Sequence, residues 1–163
     1  MVEHRILCAG FGGQGVMSMG QLLAYGGMFE NRHVSWLPSY GPEMRGGTAY
    51  CNVVISDHPI GSPIVTTCAT TALIMNLPSL LKFTPSVVPG GTIFVNTSLV
   101  QQQIDRDDVS VVYLPAGDLA RRSGNPQAAN LVMLGAFVKQ SGCVGPTSIH
   151  KALMQQGWAD EYA

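Results

Sequence analysis

The sequence predicts an α/β fold in which a Rossmann-like, mostly parallel sheet is flanked by helices. Two observations predict it. Short apolar runs alternate with segments whose apolar residues recur at helical spacing, and a glycine-rich turn joins the first run to the first helical segment. A length of 163 residues suits one domain with its own core. We therefore expect residues 1–163 to form a single domain, and we allow that the natural polypeptide runs further.

The chain begins with a predicted strand, helix and strand. The apolar run RILCAG at 5–10 ends in glycine and predicts a buried strand. Apolar residues recur every three or four positions through 14–30, which predicts the first helix. The run HVSWLP at 33–38 predicts a second strand, and we expect Pro38 to end it.

A hairpin-like insertion is predicted around 48–65. The segment TAYCNVVIS at 48–56 is rich in β-branched and aromatic residues, as strands are. The turn formers SDHP follow it, and the run PIGSPIV at 59–65 is then the predicted partner strand.

The second half of the chain continues the alternation of strands and helices. Strands are predicted at 71–76, 91–98 and 109–116, and helices at 78–87, 125–142 and 145–156. In the helix at 125–142, Asn125 is the predicted N-cap, Pro126 occupies the first position and Gly142 is the predicted stop.

The composition is unusually poor in charge. Only 12% of the residues are charged, about half of the usual ~25%. The net charge of −1 favours neither nucleic acid nor an anionic membrane as a partner, and no apolar run is long enough to cross a bilayer. A surface with so little charge fits either a protein covered by a partner or a small monomer. We expect a cytoplasmic protein with reduced thiols.

The sequence contains no recognisable catalytic or metal-binding constellation. Its four cysteines are isolated from one another, so we expect neither structural zinc nor an iron–sulfur cluster on this chain. No Ser–His–Asp arrangement and no convincing pair of carboxylates is recognisable. We therefore assign no catalytic residue and no metal ligand.

The turn GFGGQG at 10–15 has the spacing of a dinucleotide-binding loop. There, Gly10 permits a tight turn, Gly12 allows close approach to a ligand, and Gly15 allows close packing of helix on strand. The acidic residue that normally holds the ribose is missing, because the only acid at a suitable distance, Glu30, falls at the end of the helix. Three readings stay open: NAD or FAD binding, contact with another phosphate or a partner's backbone, and close packing alone. The Gln14 amide could bond outward or be solvated.

The segment SYGPEMRGG at 39–47 is a second candidate loop at the same edge of the predicted sheet. Its proline restricts the backbone, while its glycines permit positive φ. Glu43 and Arg45 can pair with each other, or Arg45 can present its planar guanidinium to a carboxylate or phosphate. The candidate binding or contact residues of the two loops are Gly10, Gly12, Gly13, Gln14, Gly15, Ser39, Tyr40, Gly41, Pro42, Glu43, Arg45, Gly46 and Gly47.

Taken together, these motifs resemble a known family. The segments GFGGQGVMSMGQLLAYGG, SYGPEMRGGTAYCNVVIS, IGSPIV and PGGTIFVNTSLV are similar to the gamma subunit of 2-oxoacid:ferredoxin (acceptor) oxidoreductases. The resemblance covers about residues 4–153. The YGPE form resembles the 2-oxoglutarate and ketoisovalerate versions most.

The resemblance implies a subunit of a larger enzyme. Such enzymes decarboxylate a 2-oxoacid on thiamine diphosphate with Mg, pass electrons through iron–sulfur clusters to ferredoxin, and transfer the acyl group to coenzyme A. The gamma subunit is a Rossmann-like domain that works beside alpha, beta and often ferredoxin-like delta subunits. The isolated chain is then expected to be inactive, to carry no cofactor of its own, and to be able to form a homodimer. The loops 10–15 and 39–47 would contact catalytic subunits or enclose coenzyme A or thiamine diphosphate.

Overall fold

The computed structural model describes residues 2–39 and 48–158, which form one mixed sheet with helices on both faces. The six strands are β1 (Glu3–Phe11), β2 (His33–Ser39), β3 (Thr48–Ser56), β4 (Ala69–Ile74), β5 (Val87–Asn96) and β6 (Ser110–Leu114). The helices are α1 (Val16–Phe29), α2 (Leu77–Phe83), α3 (Ala116–Arg122), α4 (Ala129–Ser141) and α5 (Pro146–Gln155). Short 3-10 turns at 84–86 and 126–128 precede β5 and α4.

The strand order is β2-β3-β1-β4-β5-β6. Strands β1, β4, β5 and β6 pair in parallel, whereas β3 is antiparallel to both of its neighbours, β1 and β2. Strand β2 therefore runs in the same direction as β1, and five of the six strands share one direction. The predicted α/β fold with a mostly parallel sheet is confirmed.

The predicted hairpin around 48–65 was wrong in its partner strand. The hairpin consists of β2 and β3, in which His33 lies opposite Ser56 and Ser39 opposite Tyr50. The segment 59–65 contains no strand. Both edges of β3 are already occupied by β1 and β2, so a further strand has no place to pair.

The structure also shifts several element boundaries. Strand β2 continues through Pro38, which is tolerated because β2 is an edge strand. Helix α4 begins at Ala129, after a 3-10 turn in which the N–H of Gln127 donates to Asn125 Oδ1 at 3.2 Å. Gly142 ends α4 with φ of 60°, as predicted. Helix α3 was not predicted.

The core has one layer on each face of the sheet. In β1, Ile6 and Cys8 pack on the layer beneath α1, α4 and α5, whereas Leu7 and Ala9 pack on the layer beneath α2. All four side chains are fully buried. This explains why β1 is an uninterrupted apolar run: both faces of a parallel sheet are covered by helices. Within the described residues, no helix is both long and apolar enough to cross a membrane.

Close packing of α1 on the sheet predicts opposite effects for two glycine substitutions. A Cβ on Gly20 in α1 would lie 2.4 Å from Cys51 Sγ, whereas a Cβ on Gly135 in α4 would meet nothing within 4 Å. We expect Gly20→Ala to lower the free energy of unfolding by about 1–3 kcal/mol through overpacking. The control Gly135→Ala should raise it by about 0.5–1 kcal/mol. Urea unfolding measures both, and a stabilising Gly20→Ala would contradict the packing described.

Candidate functional site

A cavity of about 550 Å³ lies at the carboxyl edge of the sheet. The glycine turn and the start of α1 form one side, and residues that follow β4, β5 and β6 form the rest. Helix α1 packs on one face of the sheet through Leu22, and α2 packs on the other through Leu80. The chain therefore changes face between β1 and β4, which is where open α/β sheets bind ligands.

The glycine turn needs its glycines for two different reasons. Gly13 and Gly15 have φ of 91° and 73°, a left-handed conformation that side chains disfavour. Gly10 lies in β1, and a Cβ there would lie 2.6 Å from Gln14 Oε1 and 2.8 Å from the Met75 Cβ. Gly10 is therefore needed for close packing, and not for a tight turn as predicted. Gly12 borders a smaller depression beside the cavity.

Gln14 closes the turn on itself. The N–H of Phe11 donates to Gln14 Oε1 at 2.7 Å, and the N–H of Gln14 donates to the Phe11 carbonyl at 3.2 Å. The side-chain oxygen is therefore used within the turn. Because the Phe11 N–H already has an acceptor, it is not available to a ligand's phosphate.

The first turn of α1 faces the cavity without a capping side chain. Gly15 is the N-cap residue, and as a glycine it has no side chain to accept a hydrogen bond from the first turn. Gly15 and Ser18 both border the cavity. The uncapped N–H groups and the helix dipole give this end of the cavity a partial positive charge, which suits an anion.

Asn130 at the start of α4 forms the opposite wall. It is 3% exposed, and its Nδ2 donates to the Gly15 carbonyl at 3.3 Å. Its Oδ1 is buried and has no hydrogen-bond partner among the described residues. A Cβ on Gly15 would lie 2.3 Å from Asn130 Nδ2, so the glycine allows the amide to lie against the turn.

Arg121 in α3 brings a cation to the same cavity. It pairs with Asp118, whose Oδ2 accepts a hydrogen bond of 3.0 Å from Ser98 Oγ. The Arg121 guanidinium, and after it the Ser98 hydroxyl, hold the pKa of the Asp118 carboxyl below its usual value. The ion pair is exposed, so Arg121 can exchange its carboxylate for another anion with little electrostatic cost.

The acidic residue and the second strand of a dinucleotide site both lie away from the glycine turn in this chain. Glu30 Oε1 accepts a hydrogen bond of 2.6 Å from the N–H of Gly145, at the far end of α1 from the glycine turn. In addition, β3 separates β2 from β1, so the end of β2 is one strand further from the glycine turn than in a dinucleotide fold. No group of three His, Cys, Asp or Glu residues that could hold a metal occurs within residues 2–39 and 48–158.

The residues that flank the second predicted loop lie at the same edge of the sheet as the glycine turn. Ser39 ends β2 opposite Tyr50, and Phe11 at the end of β1 lies opposite Thr48. The ends of β1 and β2 and the start of β3 therefore lie at the same edge of the sheet, with β3 between the other two strands. The predicted contact residues Tyr40, Gly41, Pro42, Glu43, Arg45, Gly46 and Gly47 lie outside the described residues. Sequence reasoning missed Asn130 and Arg121, since neither belongs to a recognisable motif.

Comparison with known proteins places the chain in a family. The family model of pyruvate ferredoxin/flavodoxin oxidoreductase matches residues 5–159. The chain belongs to this family.

The family resemblance stated from the motifs is thereby confirmed, and individual relatives extend it. The chain is 45% identical over 136 residues to the ketoisovalerate oxidoreductase subunit VorA of Methanothermobacter thermautotrophicus, covering 83% of this chain and 28% of VorA. It is 32% identical over 156 residues to the 2-oxoglutarate synthase subunit KorC of Methanocaldococcus jannaschii, covering 94% of this chain and 83% of KorC. The chain thus spans little more than a quarter of VorA but most of KorC.

A solved family structure has the same fold. The crystal structure of the keto/oxoacid ferredoxin oxidoreductase gamma subunit from Geobacter sulfurreducens superposes with a TM-score of 0.85 at 26% identity. The match covers 96% of this chain and 86% of that one.

The contact between Asn130 and the glycine turn predicts unequal effects of two alanine substitutions. Gly13→Ala only adds a side chain to a residue whose backbone is left-handed, which should lower the free energy of unfolding by about 1–2 kcal/mol. Gly15→Ala adds a clash with Asn130, so its free energy of unfolding should fall by a further 1–3 kcal/mol or so.

Urea unfolding of both variants measures the difference, and the excess should shrink when Gly15→Ala is combined with Asn130→Ala. Equal losses for Gly13→Ala and Gly15→Ala would contradict the contact.

Proposed function

We propose that this chain acts as the gamma subunit of a multi-subunit 2-oxoacid:ferredoxin (acceptor) oxidoreductase. Such an enzyme decarboxylates a 2-oxoacid, such as 2-oxoglutarate or a branched-chain 2-oxoacid, and forms its acyl-CoA. The observation that carries the proposal is the cavity beside the glycine turn in a chain of this family. The described residues bring no set of metal ligands together. As the family resemblance implies, we assign thiamine diphosphate with its Mg and the iron–sulfur clusters to other subunits.

The cavity suits the phosphate-bearing part of coenzyme A. The uncapped start of α1 and Arg121 supply positive charge, and Asn130 holds the turn in position. Thiamine diphosphate fits less well, because its diphosphate is bound through a metal ion that needs clustered oxygen ligands. Coenzyme A supplies a thiol that accepts the acyl group. This chain would bind and orient the coenzyme, and would break no bond itself.

The edge around the cavity also suits contact with protein. Four large apolar side chains, Phe11, Leu37, Leu77 and Leu99, are 36–58% exposed along this edge of the sheet. Phe11 ends β1, Leu77 and Leu99 follow β4 and β5, and Leu37 lies near the end of β2, so all four are on the side of the sheet where the glycine turn lies. We propose that alpha and beta subunits, with or without a ferredoxin-like delta subunit, cover this edge in a cytoplasmic complex. A homodimer of the isolated chain would cover the same surface.

A free-standing NAD- or FAD-binding module is the alternative function. It requires the glycine turn to bind a diphosphate and an acid to bind the ribose. Gln14 already occupies the Phe11 N–H, and Glu30 is bonded to Gly145. Family membership and these two contacts favour the role of a subunit over that of a free-standing module.

Calorimetry on the whole chain distinguishes the two functions. We expect coenzyme A to bind and NAD and FAD not to bind. Micromolar binding of NAD would favour the module instead. Oxidation of a 2-oxoacid by this polypeptide alone would contradict the assignment as a non-catalytic subunit.

Arg45 gives a second test of the subunit role. We expect Arg45→Ala to leave the fold intact and to weaken assembly of the complex or acyl transfer, because a planar guanidinium is suited to a carboxylate or phosphate outside the domain. Reconstitution with the other subunits measures both, with Lys139→Ala at the far end of α4 as the matched control. Unchanged assembly together with unchanged turnover would contradict a contact role for Arg45.

A further inference from the structure

An apolar groove lies between α4 and α5, away from the cavity at the carboxyl edge of the sheet. It has a volume of about 220 Å³, and no described residue lines both the groove and that cavity. Leu134 and Val138 of α4 form its floor together with Ile149 and Leu153 of α5. Both helices contribute residues at spacings of three and four, so each turns an apolar stripe toward the groove. The groove is open to solvent at its rim, where Lys139 of α4 is exposed.

The end of α5 turns the chain back toward this groove. Gly157 has a left-handed φ of 81°, and its N–H donates to the Met154 carbonyl at 3.1 Å. The N–H of Trp158 donates to the Leu153 carbonyl, also at 3.1 Å. These two bonds form a Schellman motif, which reverses the backbone against the last turn of the helix. Because Leu153 lines the groove, the described chain reaches Trp158 beside one end of it.

The five residues that follow, 159–163, are long enough to span the groove. Trp158 borders the cavity together with Asn130, so it lies at the start of α4, whereas Lys139 lies in the last turn of that helix. From Leu131 to Lys139 the helix rises by about 12 Å. The segment ADEYA at 159–163 can extend over about 17 Å. A chain that runs from Trp158 along α4 can therefore reach the far end of the groove.

Charge and polarity also favour this segment as the occupant. Residues 119–158 contain four arginine or lysine residues and no aspartate or glutamate. The next acids in the chain are Asp160 and Glu161, and Tyr162 follows them. Lys139 at the groove rim forms no ion pair with any of the described residues. An acidic segment with one aromatic side chain complements a groove that has an apolar floor and a cationic rim.

We propose that residues 159–163 fold back along α5 and occupy the groove, with the Tyr162 ring packed on its apolar floor. Asp160 and Glu161 then lie near the basic rim, where an exposed ion pair adds little and the aromatic ring supplies most of the attraction. The segment would thereby hold Trp158, which borders the cavity, in the cavity wall. The proposal does not depend on the function proposed above.

The cavity is the other surface that this segment can reach, because Trp158 borders it. The positive end of the cavity, at the start of α1, would attract the two acids. The cavity walls, however, include polar side chains such as Asn96, Ser98 and Gln127, whereas the floor of the groove is apolar. The groove therefore suits Tyr162 better than the cavity does.

A spin label at residue 163 locates the segment. Cys68→Ser removes the one cysteine that is not buried, and Ala163→Cys then carries a nitroxide. In the full chain without ligand, the label should broaden the NMR methyl signals of Val138 and Ile149, which line the groove, more than those of Leu99, which lines the cavity. Stronger broadening at Leu99 would place the segment in the cavity, and equal broadening would mean that it docks at neither site. Either result would overturn the proposal.

Substitutions identify the side chains that hold the segment. Tyr162→Ala should remove the excess broadening in the groove, because the ring is the main contact. Lys139→Glu should reduce the excess through repulsion of the two acids, and Glu161→Lys in the same chain should restore it. Lys82→Glu, at an exposed lysine of α2, is the matched control and should change nothing. An excess that persists in Tyr162→Ala would overturn the role of the ring, and one that Lys139→Glu leaves unchanged would overturn the role of charge.

Discussion

Nine consecutive residue pairs join β1 to β3, from Glu3 opposite Ser56 to Phe11 opposite Thr48. Because this ladder is antiparallel, the start of β3 lies beside the end of β1. The segment that precedes β3 and the turn that follows β1 therefore share one edge of the sheet. The same ladder places β3 between β1 and β2, which moves β2 to the outside of the sheet. The positions of Phe11 and Thr48, at the boundaries of the two candidate loops, follow from this one pairing.

The glycine turn has the spacing of a dinucleotide-binding loop but is bonded differently. In a dinucleotide fold, the backbone of this turn approaches the diphosphate directly. Here the Gln14 side chain fills the inside of the turn and bonds Phe11, while Asn130 braces Gly15 from the other side. The turn is held by two amides before any ligand arrives, and the free N–H groups are those at the start of α1. The coenzyme proposed for this cavity would therefore lie toward α4 and α3 and not toward β2.

Local sequence patterns predicted most helices and strands correctly. They did not predict which strands pair with each other in the sheet. Strand β1 and helix α1 were predicted because apolar runs and helical spacing are local properties. The partner of β3 was wrongly predicted, since 59–65 is closer in the sequence but β1 and β2 occupy both edges of β3 in space. Helix α3 is only seven residues long and contains Gly117, so its helical signal is weak. The hydrogen bond from Asn130 to Gly15 joins residues that are 115 positions apart, so local sequence patterns did not predict it, although Asn130 is the one polar residue in the run AANLVML.

Pro38 lies within β2, the outermost strand on its side of the sheet. A proline has no backbone N–H to donate, and prolines in edge strands are one way in which natural sheets resist extension by a foreign strand. Growth of the sheet across β2 is thus discouraged. On this side of the sheet, a neighbouring polypeptide would then meet the domain through loops and exposed side chains, an arrangement that suits equally a separately encoded subunit and a module within a longer chain.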